Sequence, residues 1–122
     1  MVPEISLTPQ LEKRFLERFG FSPEVWHSKI SDKKRKSIWF RSYLGEPIVV
    51  IGARSSLFLP FKKLGLIIVD EEHDISYKQE DNIRYHARDI ATVRAKIEKC
   101  NIILSSATPS LETQNNINKK KY

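Results

Sequence analysis

Two hydrophobic rhythms alternate along the chain. Leu11, Phe15, Leu16 and Phe19 return at the spacing of one helix face. Thr8-Pro9 starts that helix, because the threonine oxygen accepts an otherwise orphaned N–H and proline at the first helical position gives up no hydrogen bond. Gly20 is a fitting stop. Val25 to His27 reads as a short strand. Ser31 caps a second helix that runs to Leu44, with Ile38, Trp39 and Tyr43 on its apolar side and Lys33, Lys34, Arg35, Lys36 and Arg41 elsewhere; Gly45 closes it.

From there the rhythm changes. Ile48 to Ile51, Leu66 to Val69 and Ile102 to Leu104 are unbroken aliphatic runs, the pattern of strands covered on both faces. Between the last two, His86 to Lys99 keeps Ala87, Ile90, Val93 and Ile97 at helical spacing, with charged residues at most positions between. Strand, crossover helix, strand is the sequence form of a parallel βαβ unit, so the architecture is predicted to be α/β. Thr108-Pro109 repeats the helix-start chemistry and opens a final short helix. Asn115 to Tyr122 is polar, lysine-rich and expected to fray.

Composition narrows this without redirecting it. A chain of 122 residues fits one domain, here 1–114 followed by the tail 115–122. Lysine and arginine number 21 against 15 acidic residues, a net charge of +6 that permits polyanion binding. The single Cys100 excludes an intrachain disulfide framework and a multi-cysteine zinc site, and suits a reducing compartment. No apolar run approaches the roughly 18 to 20 residues of a membrane span, and no signal-peptide pattern follows Met1, so a cytoplasmic protein with no membrane partner is expected.

In parallel α/β sheets the working residues gather just past the carboxyl ends of the strands. Three such ends are visible: Gly52-Ala53-Arg54-Ser55, Asp70-Glu71-Glu72-His73 and Ser105-Ser106-Ala107-Thr108. An aliphatic strand that delivers two adjacent acids is the Walker B arrangement of nucleoside triphosphatases, in which one carboxylate supports a metal ion and the next polarises water. A solvated acidic turn is the bland alternative.

Asp70-Glu71-Glu72-His73 followed, across a helix, by Ser106-Ala107-Thr108 resembles motifs II and III of superfamily 2 helicases. Val2 to Thr8 is similar to motif Ia, and Gly52 to Phe61 to the motif Ib region, of the primosomal replication-restart helicases of PriA type, also called primosomal protein N′. Ser76 to Glu80 with Arg84 to Asp89 resembles the aromatic-rich loop of that family. Two positions depart from its pattern: Ala53 stands where threonine is usual, and Ser105 where glycine is usual.

The resemblance implies a partial RecA-like parallel sheet of the P-loop NTPase type with flanking helices, and an ATP-dependent DNA helicase of replication restart. Asp70 would then support Mg2+ through water and Glu71 the attacking water, both at bound ATP. His73 would communicate with Ser106 and Thr108. Tyr77, Lys78, Arg84, Tyr85 and Arg88 would sense single-stranded or forked DNA, with aromatics on unpaired bases and basic groups on phosphates. Pro3, Thr8 and Arg54 would face the DNA backbone. Ordinary packing stays open for Tyr77 and Tyr85, and turn geometry or capping for Pro3, Thr8 and Arg54.

The four glycines, at 20, 45, 52 and 65, include none followed by Lys-Ser or Lys-Thr, so these residues hold no phosphate cradle. The resemblance places the Walker A strand and loop upstream of Met1, and the second motor lobe beyond Tyr122. The chain is therefore expected to be an excerpt of the motor that neither binds nor hydrolyses ATP by itself and leaves Ile102 to Leu104 as an unpaired edge. Two functional readings follow. One is a helicase segment, truncated or completed by a companion chain; the other is a non-catalytic basic α/β module that binds DNA or a replication partner alone. A hydrolytic metal site from Asp70, Glu71, His73 and Asp74 is disfavoured, since neighbours on one turn point in different directions.

Overall fold

Local capping chemistry sets the helix limits. In a computed structural model describing residues 1–122, Thr8 Oγ1 accepts from Leu11 N at 3.3 Å and opens α1 (Pro9–Phe19). Ser31 Oγ accepts from Lys34 N at 3.2 Å and opens α2 (Asp32–Leu44). Gly20 and Gly45 end them at φ 78°, a left-handed conformation that glycine enters without strain. No residue of α1 is buried; Phe15 instead packs on Phe19 and Phe21, at 4.5 and 5.3 Å between ring centroids.

The inward stripe of α2 differs from the expected one. Ile38 and Ser42 are buried, while Trp39 and Tyr43 lie outside and stack on each other at 5.5 Å. The helix is turned this way because Arg35 sits over the Trp26 ring and donates to the His27 carbonyl at 3.2 Å, which fixes Ile38 against Trp26 and Leu59.

Six short strands follow the chain: β1 (Glu24–Trp26), β2 (Val50–Gly52), β3 (Leu66–Val69), β4 (Lys78–Gln79), β5 (Tyr85–His86) and β6 (Asn101–Leu104). β1 pairs parallel with β2, and β3 parallel with β6. The first two residues join the pairs, since Val2 N donates to Gly52 O and Asp70 N donates to Met1 O, each at 3.0 Å. The parallel strands thus lie in the order β1, β2, the Met1-Val2 bridge, β3, β6. The run expected at Ile48 to Ile51 pairs two residues later than predicted, because Pro47 offers no N–H and the ladder opens only where Glu24 N reaches Val49 O, at 2.8 Å.

The expectation that these strands are covered on both faces is corrected. Ile67 and Val69 point inward, whereas Leu66 and Ile68 are each 46% exposed. Ile103 on β6 is likewise exposed. The β3–β6 pair is covered by α3 (Ala87–Glu98), the crossover of the β3–α3–β6 unit. Its buried stripe is Ala87, Arg88, Ala91 and Ala95, not the Ala87, Ile90, Val93 and Ile97 row; Val93 and Ile97 are exposed. Small side chains let the helix lie close on β3, so the alanine row wins the contact. The core is Leu57, Ile67, Val69 and Tyr77 with those three alanines.

The last helix, α4 (Leu111–Asn118), starts two residues beyond Thr108-Pro109. Ser110 is its cap, accepting from Thr113 N at 3.2 Å, while Thr108 N turns back to Ser106 Oγ at 3.0 Å. Helix continues to Asn118, into the stretch expected to fray.

Candidate nucleotide and nucleic-acid site

β3 delivers its acids to the carboxyl edge of the parallel pair, beside the end of β6. Ser105 N donates to Val69 O at 2.8 Å and Glu72 N donates to Ser105 O at 3.0 Å, so the two strand ends turn over together. Within the turn, Asp70 Oδ1 accepts from Glu71 N at 3.1 Å, and Glu71 takes φ 47°, an uncommon left-handed conformation for a non-glycine residue. His73 Nδ1 lies 2.5 Å from Ser106 Oγ and 3.5 Å from Glu71 Oε2. Ser106 Oγ also accepts from Thr108 N, so the residues singled out at the ends of β3 and β6 form one connected set.

Asp70 and Glu71 keep partly exposed carboxylates at this edge. No group of three or more His, Cys, Asp or Glu converges as a metal cage. That donor set suits Mg2+, which keeps several waters and takes one or two carboxylates together with substrate phosphates.

The segment after Asp74 is a small hairpin, β4 pairing antiparallel with β5. A cavity of about 400 Å³ is lined by Lys78, Gln79, Glu80, Arg84, Tyr85 and His86. Arg84 is exposed, and Lys78 is exposed but paired with Glu80 at 2.7 Å. Tyr85 is half-buried, edge-on to Phe58 at 5.5 Å. Burial, followed by the Arg88 charge, holds the His86 imidazole below its usual pKa.

Two residues expected to meet DNA are placed elsewhere. Tyr77 is 1% exposed; its hydroxyl donates to Asp70 O at 2.5 Å and lies 3.3 Å from Met1 O, so the ring belongs to the core. Burial, with the Asp70, Asp74 and Glu71 charges, pushes its ionisation well above the usual range. Arg88 is also buried, with its guanidinium on Glu72, Asp89 and Ser110. Neither side chain is free to touch a nucleic acid.

Around the other strand ends, Pro3 is buried, Thr8 caps α1, and Arg54 Nη1 donates to Ser76 O and Lys78 O at 3.2 and 3.0 Å. Arg54 thereby ties the turn after β2 to the hairpin. On α2, Lys33, Lys34 and Lys36 are exposed, while Arg35 is held on Trp26 and Arg41 pairs with Glu24 and Glu46.

Sequence reasoning missed Glu72. It is 1% exposed: Oε1 accepts from Ser110 N at 2.7 Å, and Oε2 accepts from Thr113 Oγ1 at 2.9 Å and Arg88 Nη1 at 3.2 Å. Burial pushes this carboxyl up, but the Ser110 amide, the Thr113 hydroxyl and Arg88 outweigh it and hold it below the usual carboxylate range. One signal was available. An arginine in the first turn of a helix opposes the helix dipole, so Arg88 called for a carboxylate partner.

The DEAD/DEAH box helicase family matches residues 1–117. The chain is 56% identical over 123 residues to the replication restart protein PriA of Rickettsia felis, covering 100% of this chain and 19% of that protein. It is 51% identical to PriA of Haemophilus influenzae over 122 residues, 100% of this chain and 17% of the relative. For PriA of Bacillus subtilis the values are 48% over 122 residues, 100% and 15%. The chain spans less than a fifth of the length of these relatives.

Proposed function

The chain belongs to the DEAD/DEAH box helicase family, and from that premise we propose that it is a first-lobe segment of a PriA-like replication-restart DNA helicase. The observation that carries the reading is the joined edge of β3 and β6, where Asp70 and Glu71 stand beside a His73–Ser106 contact. Asp70 would be the residue that holds Mg2+, and Glu71 would orient water beside it. When bound, Mg2+ and ATP would supply the phosphoryl group and the charge that neutralises it during transfer. His73 senses that edge and passes its state to Ser106 and Thr108.

DNA is met by Lys78, Arg84 and Tyr85 of the hairpin, on the grounds of exposure, charge and a half-buried aromatic ring. Arg54 shapes that surface through its two carbonyl bonds, and Pro3 and Thr8 set the backbone turn beside it. Residues 1–114 act as the motor portion and 115–122 as an appended basic end. Because these 122 residues include no phosphate cradle, they turn over no ATP by themselves and work with segments carrying a P-loop and a second lobe. Such a DNA motor operates in the cytoplasm. No helix of the chain is long and apolar enough to cross a membrane.

Mixing the chain with polypeptides that carry the P-loop and second lobe tests this. Recovery of DNA-stimulated ATPase is the expected result. Salt-sensitive binding of single-stranded DNA with no recovered ATPase would instead mark a non-catalytic DNA-binding module.

A further inference from the structure

Glu72 is the one acid of the β3 tip that faces inward, and its ion pair with Arg88 is closed from solvent, the two side chains being 1% and 5% exposed. Burying such a pair is seldom a net gain in stability, because desolvation of both ions takes back most of their attraction. A packed apolar pair would hold the fold as well, which directs attention to what the pair connects.

Arg88 is the second residue of α3, directly after the hairpin. Ser110 caps α4, directly after the Ser106 to Thr108 turn, and its hydroxyl accepts from Arg88 Nη1 at 2.7 Å. On the other flank of the hairpin, the Tyr77 hydroxyl donates to Asp70 O. Both flanks of the hairpin therefore end on the tripeptide Asp70 to Glu72.

We infer that Glu72, Arg88 and Ser110 form a positioning latch that carries displacement of the hairpin to the Asp70–His73 turn and on to Ser106. Charge-assisted hydrogen bonds are short-range and directional, so they hold one arrangement or release it. The turn is the strained part of this path, since Glu71 holds a left-handed φ of 47° that a non-glycine residue seldom adopts. The path is contiguous and each link is a hydrogen bond. The latch rests on the reading of the hairpin as the DNA-facing element, and its test separates the two.

That test is nuclear magnetic resonance on the isotope-labelled full chain, comparing wild type with Glu72→Gln and Ser110→Ala, before and after addition of a short oligothymidylate. Without DNA, the latch requires Glu72→Gln to move the His73 ring and Ser106 amide signals while the amides of α1 and α2 stay in place. With DNA, wild type shows shifts at Arg84, Tyr85 and His73. In Glu72→Gln the Arg84 and Tyr85 shifts persist and the His73 response is lost; in Arg88→Lys, which keeps the charge pair, it returns in part.

Unmoved His73 and Ser106 signals in the DNA-free variants overturn the latch. So does a His73 response to DNA equal in wild type and Glu72→Gln. Absence of any DNA-induced shift in wild type overturns the DNA reading instead, and the DNA-free comparison then decides the latch. Ser110→Ala leaves the Glu72–Arg88 charges paired and supplies the same comparison should Glu72→Gln not fold; its expected result is a smaller shift of the same two signals.

Discussion

Removing one partner of the Glu72–Arg88 pair is the sharpest perturbation of stability available in this chain, and the two possible removals are not equivalent. In Arg88→Ala the carboxylate stays buried but keeps the Ser110 amide and the Thr113 hydroxyl as donors. In Glu72→Ala the guanidinium keeps Asp89 and the Ser110 oxygen, but the Ser110 amide and the Thr113 hydroxyl both lose their acceptor. Breaking a buried ion pair costs about 3 to 5 kcal/mol, so Arg88→Ala belongs at the lower end and Glu72→Ala at the upper.

Urea unfolding followed by circular dichroism measures both. With a slope of about 2 kcal/mol per molar urea, the midpoints move down by roughly 1.5 M for Arg88→Ala and 2.5 M for Glu72→Ala. A loss below about 1 kcal/mol in either variant, or a larger loss in Arg88→Ala, would refute the reasoning. The same carboxylate shapes the acid limb. Its folded pKa lies below the ordinary 4.5, so its contribution is complete above pH 4.5 and is lost as pH falls through the folded value. Glu72→Gln should therefore flatten the fall in stability below pH 4.5.

Three further outcomes follow from single positions. A Cβ at Gly52 would stand 2.5 Å from Ser56 Cβ and 3.0 Å from Trp26 O, so Gly52→Ala should cost about 1 to 3 kcal/mol by urea melt, and Ser56→Gly in the same chain should recover part of it. Ile38→Ala empties a site with 0% exposure and should cost about 2 to 5 kcal/mol, against less than about 1 for Trp39→Ala; equal losses would contradict the observed facing of α2. His86 has its pKa lowered from 6.5, so it favours the fold fully above pH 6.5 and less as pH falls through the folded value; thermal melts of His86→Gln should lose that dependence.

Where the chemistry is local, the chain declares its structure. Thr8-Pro9, Ser31, Gly20 and Gly45 act within a turn of their own positions, and the helices they bound appear as read. The β3–α3–β6 unit was equally legible, since an aliphatic run needs no neighbour to reveal itself. What escaped was direction. Periodicity names two or three candidate faces for α3, and only the close approach to β3 selects alanine over Val93 and Ile97. For α2 the deciding contact is Arg35 on Trp26, between elements set by tertiary packing.

The site divides along the same line. The convergence of Asp70, Glu71, His73 and Ser106 was readable because strand ends in a parallel sheet meet whatever surrounds them. Tyr77 and Arg88 misled because an aromatic or an arginine in a polar loop looks equally suited to a nucleic acid and to a core. The difference lies in partners far along the chain: the Asp70 carbonyl for Tyr77, Glu72 and Ser110 for Arg88. Both residues left the candidate DNA surface by being recruited to the strand tip. The hairpin keeps Lys78 and Arg84 toward solvent with Tyr85 half-buried, while its flanking residues Tyr77 and Arg88 anchor on the acidic turn. Under the proposed latch, this inward anchoring is what would let the hairpin's position be felt at Asp70 and Glu71.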